Sequence, residues 1–111
     1  MEHQVIAELS IVPVGVGTSV SRYVAACLGV LDSTEGVSYQ LTPMGTIVLG
    51  PLERVLDVAR KMHEVPFGMG VQRVVTTIKV DDRRDKEVTM QSKVQSVKRK
   101  RARRSRARQA V

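Results

Sequence analysis

The first third of the chain alternates apolar and other residues and then changes to helical spacing. The alternation runs from Val5 to Val12, which predicts a first strand with two different faces. Apolar side chains then recur at helical spacing from Tyr23 to Leu31, which predicts a helix that ends before Gly36. Thr18 or Ser19 is expected to cap the start of this helix.

The middle of the chain predicts a hairpin, a second helix and a last strand. Residues 37–41 and 46–49 are short β-rich runs, and the turn-forming residues 42–45 join them as a hairpin. An apolar helical stripe follows over residues 51–66, with a proline at the first-turn position, where its missing N–H costs nothing. Residues 71–80 form the longest β-rich run and predict the last strand.

A third helix is predicted near the carboxyl end. Val88, Met90, Val94 and Val97 recur at partly helical spacing within residues 88–101. The element order is therefore β-α-β-β-α-β-α, an α+β fold of the ferredoxin-like β-α-β-β-α-β type with an added C-terminal helix. Right-handed crossovers place the first two helices on one face of a four-stranded antiparallel sheet. The other face, called the open face below, is predicted to be uncovered.

The positive charge is concentrated at the end of the chain. The 111 residues, 42% of them hydrophobic, carry a formal net charge of +7. Residues 1–97 hold ten Lys and Arg against 11 Asp and Glu, so this part of the chain is nearly neutral. Its length predicts a single domain. Residues 98–111 form a basic tail, the end of the last helix or disordered, with eight basic residues and no acid. These are Lys98, Arg99, Lys100, Arg101, Arg103, Arg104, Arg106 and Arg108.

Candidates for catalysis or metal binding are few. Cys27 is the single cysteine and lies on the apolar stripe of the first helix, so we interpret it as a buried structural thiol. His3 and His63 are far apart in sequence, and His63 is interpreted as facing solvent or the helix dipole. We expect no metal, no cofactor and no enzymatic activity. Because no apolar stretch approaches about 20 residues and the first residues are not basic, we expect a cytoplasmic protein without membrane contact.

The open face of the sheet is the predicted place for ligand chemistry. Alternation directs Glu8 and Ser10 to this face, together with Arg73, Thr77 and Thr46 from the other strands. Hydroxyl groups around one carboxylate and one guanidinium are suited to a small heteroaromatic ligand. The alternative is that Glu8 and Arg73 simply pair across neighbouring strands. The apolar rim is predicted to bury itself in a dimer or tetramer. Its members are Ile6, Val12, Val48 and Val75.

Three segments resemble the small thiamine-binding protein family. They are residues 8–13 (ELSIVP), residues 39–46 (YQLTPMGT) and residues 73–85 (RVVTTIKVDDRRD), the last followed by KV at 93–94 and SV at 96–97. The resemblance implies a ferredoxin-like subunit that pairs through its sheets into dimers and often tetramers. It also implies binding of thiamine or its hydroxymethylpyrimidine moiety without chemistry. One departure is Leu49, which stands where the family is expected to carry an acidic residue.

Two functional hypotheses remain open from the sequence. Under the family resemblance, Glu8 accepts a hydrogen bond from the aminopyrimidine, Ser10, Thr46 and Thr77 orient the ring, and Met44 adds a soft apolar contact. Arg73 completes this candidate site. The second hypothesis is nucleic-acid or ribosome association through the basic tail, whose charges suit phosphate without reading sequence. A merely solubilising tail is the alternative to that second hypothesis.

Overall fold

A computed structural model describes residues 3–87 and 89–109, with side-chain burial given as far as residue 105. The predicted element order is confirmed, although Val88 of the predicted third helix lies outside the described residues. That helix begins at Met90 and continues into the predicted tail, past the expected end at residue 101. The elements are β1 (Gln4–Val14), α1 (Ser21–Asp32), β2 (Ser38–Thr42), β3 (Gly45–Pro51), α2 (Leu52–Gly68), β4 (Arg73–Asp81) and α3 (Met90–Gln109).

The four strands form one antiparallel sheet in the order β2-β3-β1-β4, which confirms the ferredoxin-like α+β fold. β1 runs through Pro13, beyond the end of the predicted alternation at Val12. β3 pairs with β1 only as far as Leu9, so Pro13 lies where β1 has a neighbour on one side alone. A proline is tolerated there because no second ladder needs its missing N–H.

The hydrophobic core lies between one sheet face and helices α1 and α2. β1 contributes Val5, Ala7 and Leu9, whose alternate positions all point to the helices. The helices contribute one stripe each, since residues three and four apart share a helix face. Their buried core members are Cys27, Leu31, Val55, Val58, Ala59 and Met62.

The prediction that Thr46 and Val48 lie on the open face is wrong. Thr46 pairs with Leu9 and Val48 with Ala7, and directly opposed residues of an antiparallel pair point to the same side. Both side chains therefore face the helices, and both are buried. β3 instead presents Ile47 to the open face.

The side assignment of β4 is confirmed, but the open face is partly covered. Arg73, Val75, Thr77 and Lys79 oppose the even-numbered residues of β1 and share their side. The start of α3 lies over the end of this face that contains Ile6 and Ile47. Side chains of α3 and of the sheet line a cavity of about 300 Å³ there. The prediction of a wholly uncovered face is therefore wrong at that end. The lining residues are Ile6, Gln40, Thr42, Ile47, Met90, Lys93 and Val94.

The predicted cap of α1 is also wrong, and of the two alternatives for His63 the solvent-facing one is wrong. The N-cap position of α1 is Val20, and neither Thr18 nor Ser19 caps the helix with its hydroxyl. The Val20 carbonyl accepts hydrogen bonds from the amides of Tyr23 and Val24. His63 is half-buried rather than free in solvent. Its Nδ1 lies 2.7 Å from the Thr76 hydroxyl, which links α2 to β4.

Candidate ligand-binding cleft

The β2-β3 hairpin ends in a tight turn that is held against β1. The Thr42 hydroxyl donates to the Gly45 carbonyl at 2.8 Å and accepts the amides of Met44 at 3.3 Å and Gly45 at 3.1 Å. A Cβ added at Gly45 would lie 3.0 Å from the Leu9 carbonyl oxygen, a backbone atom with little room to move. Glycine therefore allows the hairpin to approach β1 closely at this point.

A cleft of about 190 Å³ opens where β1 continues past the start of β3. We call it the hairpin cleft. Its walls come from β1, the hairpin, α1 and α2, and most of them are apolar. Ile11, Val24, Cys27 and Met62 are representative wall residues. Such an enclosure favours an apolar or aromatic ring that needs few oriented polar contacts.

Hydroxyl groups supply the polar contacts of the hairpin cleft. Ser10, Thr42 and Thr46 all line it. Thr46 is 4% exposed, and within the described residues its hydroxyl takes part in none of the side-chain hydrogen bonds. The Thr42 hydroxyl is already used by the turn. Thr46, on the helix side, is therefore the buried side chain with hydrogen-bonding capacity to spare, and Ser10 lies at the rim of the cleft with its side chain on the open face.

Cys27 lines the cleft as a structural thiol, as the sequence predicted. Its Sγ donates to the Met62 carbonyl at 3.4 Å, and burial raises the pKa of the thiol. A raised pKa keeps the group protonated near neutral pH, and the thiolate is the nucleophilic form. The Cys27 side chain therefore contributes wall area and a link between α1 and α2.

Three predicted site residues come together here, since Ser10, Met44 and Thr46 all line the hairpin cleft. Glu8 lies beside it, because its Cγ would be 3.6 Å from a Cβ added at Gly45. Thr77 opposes Ser10 on the open face. Thr46 reaches the cleft from the helix side of the sheet, and Thr77 does not line it.

Arg73 is not brought to the same place. It opposes Val14, six positions along β1 from Glu8, which corresponds to about 20 Å at roughly 3.3 Å per residue. The alternative of a Glu8–Arg73 pair is therefore wrong within one chain, where Glu8 opposes Lys79. Leu49 opposes Ile6 on the open side and does not line the hairpin cleft.

Several cleft residues were not predicted as site residues. Val24 and Met62 belong to the apolar stripes of their helices, a pattern that indicates core packing and nothing more. Thr42 was recognised only as a turn residue. Their common position depends on how α1 and α2 cross the sheet, which has no local sequence signal.

The charged residues after β4 form ion pairs with each other. Arg83 contacts Asp85 at 2.5 and 2.8 Å, and Arg84 contacts Asp82 at 2.9 Å. The Arg83 guanidinium lowers the pKa of Asp85 to about 2. Across the residues described, no group of three or more His, Cys, Asp or Glu side chains is arranged to hold a metal ion. None of the described helices is long and apolar enough to cross a membrane.

Comparisons with known proteins agree with this architecture. A family model described as thiamine-binding protein matches residues 7–98. The Bacillus subtilis protein YqgV is 47% identical over 96 residues, covering 83% of this chain and 92% of YqgV. A Methanothermobacter thermautotrophicus protein is 40% identical, covering 85% of this chain and 96% of its own length. The crystal structure of hypothetical protein MJ1052 from Methanocaldococcus jannaschii has a TM-score of 0.80 at 35% identity, covering 86% of this chain and 96% of that one.

Proposed function

We propose that this chain, which belongs to the thiamine-binding protein family, binds thiamine or its hydroxymethylpyrimidine moiety in the hairpin cleft without converting it. One observation carries the proposal. Ser10 of β1, Met44 of the hairpin turn and Thr46 of β3 line one mostly apolar cleft. Hydroxyls at the edge of an apolar enclosure suit a heteroaromatic ring, which needs both stacking area and a few hydrogen bonds.

The size of the cleft suggests which part of the ligand it holds. Sites for complete drug-sized ligands measure roughly 300–1,000 Å³, whereas the hairpin cleft measures about 190 Å³. We assign the aminopyrimidine ring to the cleft and the rest of thiamine to its mouth. Ser10 and Thr46 then orient the ring through their hydroxyls, and the exposed Met44 packs on its face. Glu8, beside Gly45, accepts a hydrogen bond from the exocyclic amino group.

The chemistry of the cleft favours binding over catalysis. Its thiol, that of Cys27, is buried, donates to the Met62 carbonyl and has a pKa that burial raises, so it stays protonated near neutral pH. The other polar lining groups are the neutral hydroxyls of Ser10, Thr42 and Thr46. Glu8 alone cannot act as both the acid and the base of a transfer reaction. A protein that holds and releases the vitamin needs none of these groups to react.

The proposal includes a homo-oligomer in which open faces pair. Val12 and Val75 oppose each other on that face and are 44% and 47% exposed. Burial of such a pair contributes roughly 1.5–3 kcal/mol per fully covered side chain, and a two-fold contact uses the same patch twice. Dimer or tetramer formation and a cytoplasmic location stay predictions, and light scattering tests the first of them.

Calorimetric titration tests the ligand directly, with thiamine, its phosphates and hydroxymethylpyrimidine as separate probes. Loss of a charge-assisted hydrogen bond costs about 1.5–3 kcal/mol, so Glu8→Gln is expected to weaken binding tenfold or more. Thr46→Val keeps the side-chain shape and is expected to weaken binding up to about tenfold. Glu64→Gln on the exposed side of α2 is the matched control and leaves affinity unchanged. No heat and no thermal shift with any probe would exclude the proposed function.

A further inference from the structure

Helix α3 carries a dense positive charge that the proposed ligand site does not use. Its sequence from Met90 to Gln109 contains nine Lys and Arg and no acidic residue. Eight of them fall within residues 98–109, which we call the basic segment. Every side chain described in this segment, residues 98–105, is exposed. The six charges of residues 98–105 are therefore available to a partner in solution.

The start of α3 is attached to the domain. Thr89 and Ser92 exchange hydrogen bonds of 2.8 and 3.0 Å between side chain and backbone, a reciprocal capping arrangement. Lys93 pairs with Asp81, and Met90 lines the cavity of about 300 Å³ between α3 and the open face. These contacts determine the direction in which the remaining turns of the helix leave the sheet.

The basic segment projects away from the folded domain. A compact chain of 111 residues has a radius of gyration of about 13 Å, whereas this chain has 17.4 Å and a longest dimension of 61 Å. A 20-residue helix is about 30 Å long, which accounts for the extension. The basic segment is thus held at a distance from the hairpin cleft, which suits a second partner.

The domain does not neutralise the basic segment. Among the described residues, the ion pairs place Asp81 with Lys93, Asp82 with Arg84, and Asp85 with Arg83. Three of the four acidic side chains that line the cavity beside α3 are therefore already paired, and the fourth is Glu87. Within the segment, like charges three and four positions apart repel each other and oppose the helix. A bound polyanion would remove this repulsion and stabilise the helix.

We infer that the basic segment binds the phosphate backbone of a nucleic acid duplex without reading its sequence. Arginine guanidinium groups match phosphate oxygens in geometry and keep their charge at all ordinary pH values. Interfacial membrane helices need an apolar face with residues such as Leu, Phe or Trp. The basic segment has only two alanines as apolar residues. α3 also contains no aromatic residue to stack on unpaired bases, which favours a duplex over a single strand.

The salt dependence of binding follows from the geometry. Because a helix presents about half of its circumference to one duplex, roughly four of the eight charges can contact phosphates together. Each contact contributes about −0.9 to the slope of log affinity against log salt, giving a slope near −3.6. Affinity is then expected to fall about a hundredfold between roughly 50 and 200 mM salt.

Fluorescence anisotropy with full-length protein and labelled DNA and RNA duplexes of about 20 base pairs tests the inference. The triple variant Arg101→Gln, Arg103→Gln and Arg104→Gln is expected to bind tenfold or more weakly, with a flatter salt slope. The same three positions changed to Lys retain affinity within about threefold. The matched control removes three charges from the domain, and its affinity changes less than about twofold. Its substitutions are Arg60→Gln, Lys61→Gln and Lys86→Gln.

Three outcomes would overturn the inference. They are absence of duplex binding, an equal loss in the control variant, and a preference for one duplex sequence by more than about tenfold. Vesicles of phosphatidylcholine with about one-third phosphatidylserine form the competing arm. Binding to these vesicles without binding to either duplex would assign the segment to anionic membranes instead. Thermal unfolding of each variant verifies that the exposed substitutions leave the domain folded.

Discussion

Replacing valine by alanine on opposite sides of the sheet tests which residues form the core. Val48 is fully buried in β3, between Ala7 of β1 and Tyr39 of β2, on the side covered by the helices. Val75 is 47% exposed on the open face. The substitutions Val48→Ala and Val75→Ala remove the same atoms, so the difference between their effects reports on surroundings rather than on chemistry.

The expected magnitudes differ clearly. Removing two methyl groups from a buried site costs about 1.6 kcal/mol at roughly 0.8 kcal/mol per group. A residual cavity of about 50 Å³ adds about 1.2 kcal/mol at roughly 24 cal/mol per Å³. Val48→Ala should therefore lower the free energy of unfolding by about 3 kcal/mol, or roughly 10–15 °C in Tm. Val75→Ala should cost less than about 1 kcal/mol in an isolated subunit, because half of its side chain is already in water.

Urea unfolding at two protein concentrations about tenfold apart measures both effects. The cost of Val48→Ala should not depend on concentration, whereas that of Val75→Ala should grow with concentration if open faces pair. Equal costs for the two variants, or a larger cost at Val75 in the dilute sample, would refute the assignment of sheet faces. Because Val48 faces the helices and Val75 the open face, a charge has different effects at the two positions. Val48→Asp should unfold the subunit, while Val75→Asp should leave it folded and prevent only pairing.

The ion pairs after β4 and the buried thiol give two further predictions. The Arg83 guanidinium lowers the pKa of Asp85 from 3.8 to about 2, so the folded-state contribution of this carboxylate is complete above about pH 4 and is lost as pH falls toward 2. NMR titration should show that low midpoint, and Arg83→Gln should return it toward 3.8; an unchanged midpoint in the variant would contradict the pairing. Burial raises the pKa of Cys27, so a disulfide reagent at pH 8 should react slowly with the native protein and completely after unfolding. Immediate reaction of one thiol per native chain would show that Cys27 is accessible.

The hydrophobic pattern alone determined the element order and the faces of two strands. In β1 a carboxylate and a hydroxyl alternate with Ala7, Leu9 and Ile11, so the side facing the helices is evident without a structure. In β4, Arg73 and Lys79 mark the opposite side in the same way. Alternation is informative in these strands because one set of positions carries groups that are costly to bury.

Only the tertiary structure decided the side of β3 and the position of the hairpin cleft. The run Thr46-Ile-Val-Leu49 has apolar side chains at both alternate sets of positions, so its pattern carries no contrast and the pairing register with β1 determines which set is buried. The hairpin cleft depends on Cys27 and Met62 meeting across two helices, 35 residues apart in sequence. The pairing register of β1 and β4 also places Glu8 and Arg73 far apart, because it sets Glu8 opposite Lys79 and Arg73 opposite Val14. Local patterns report which side chains avoid water, whereas packing decides which of them meet.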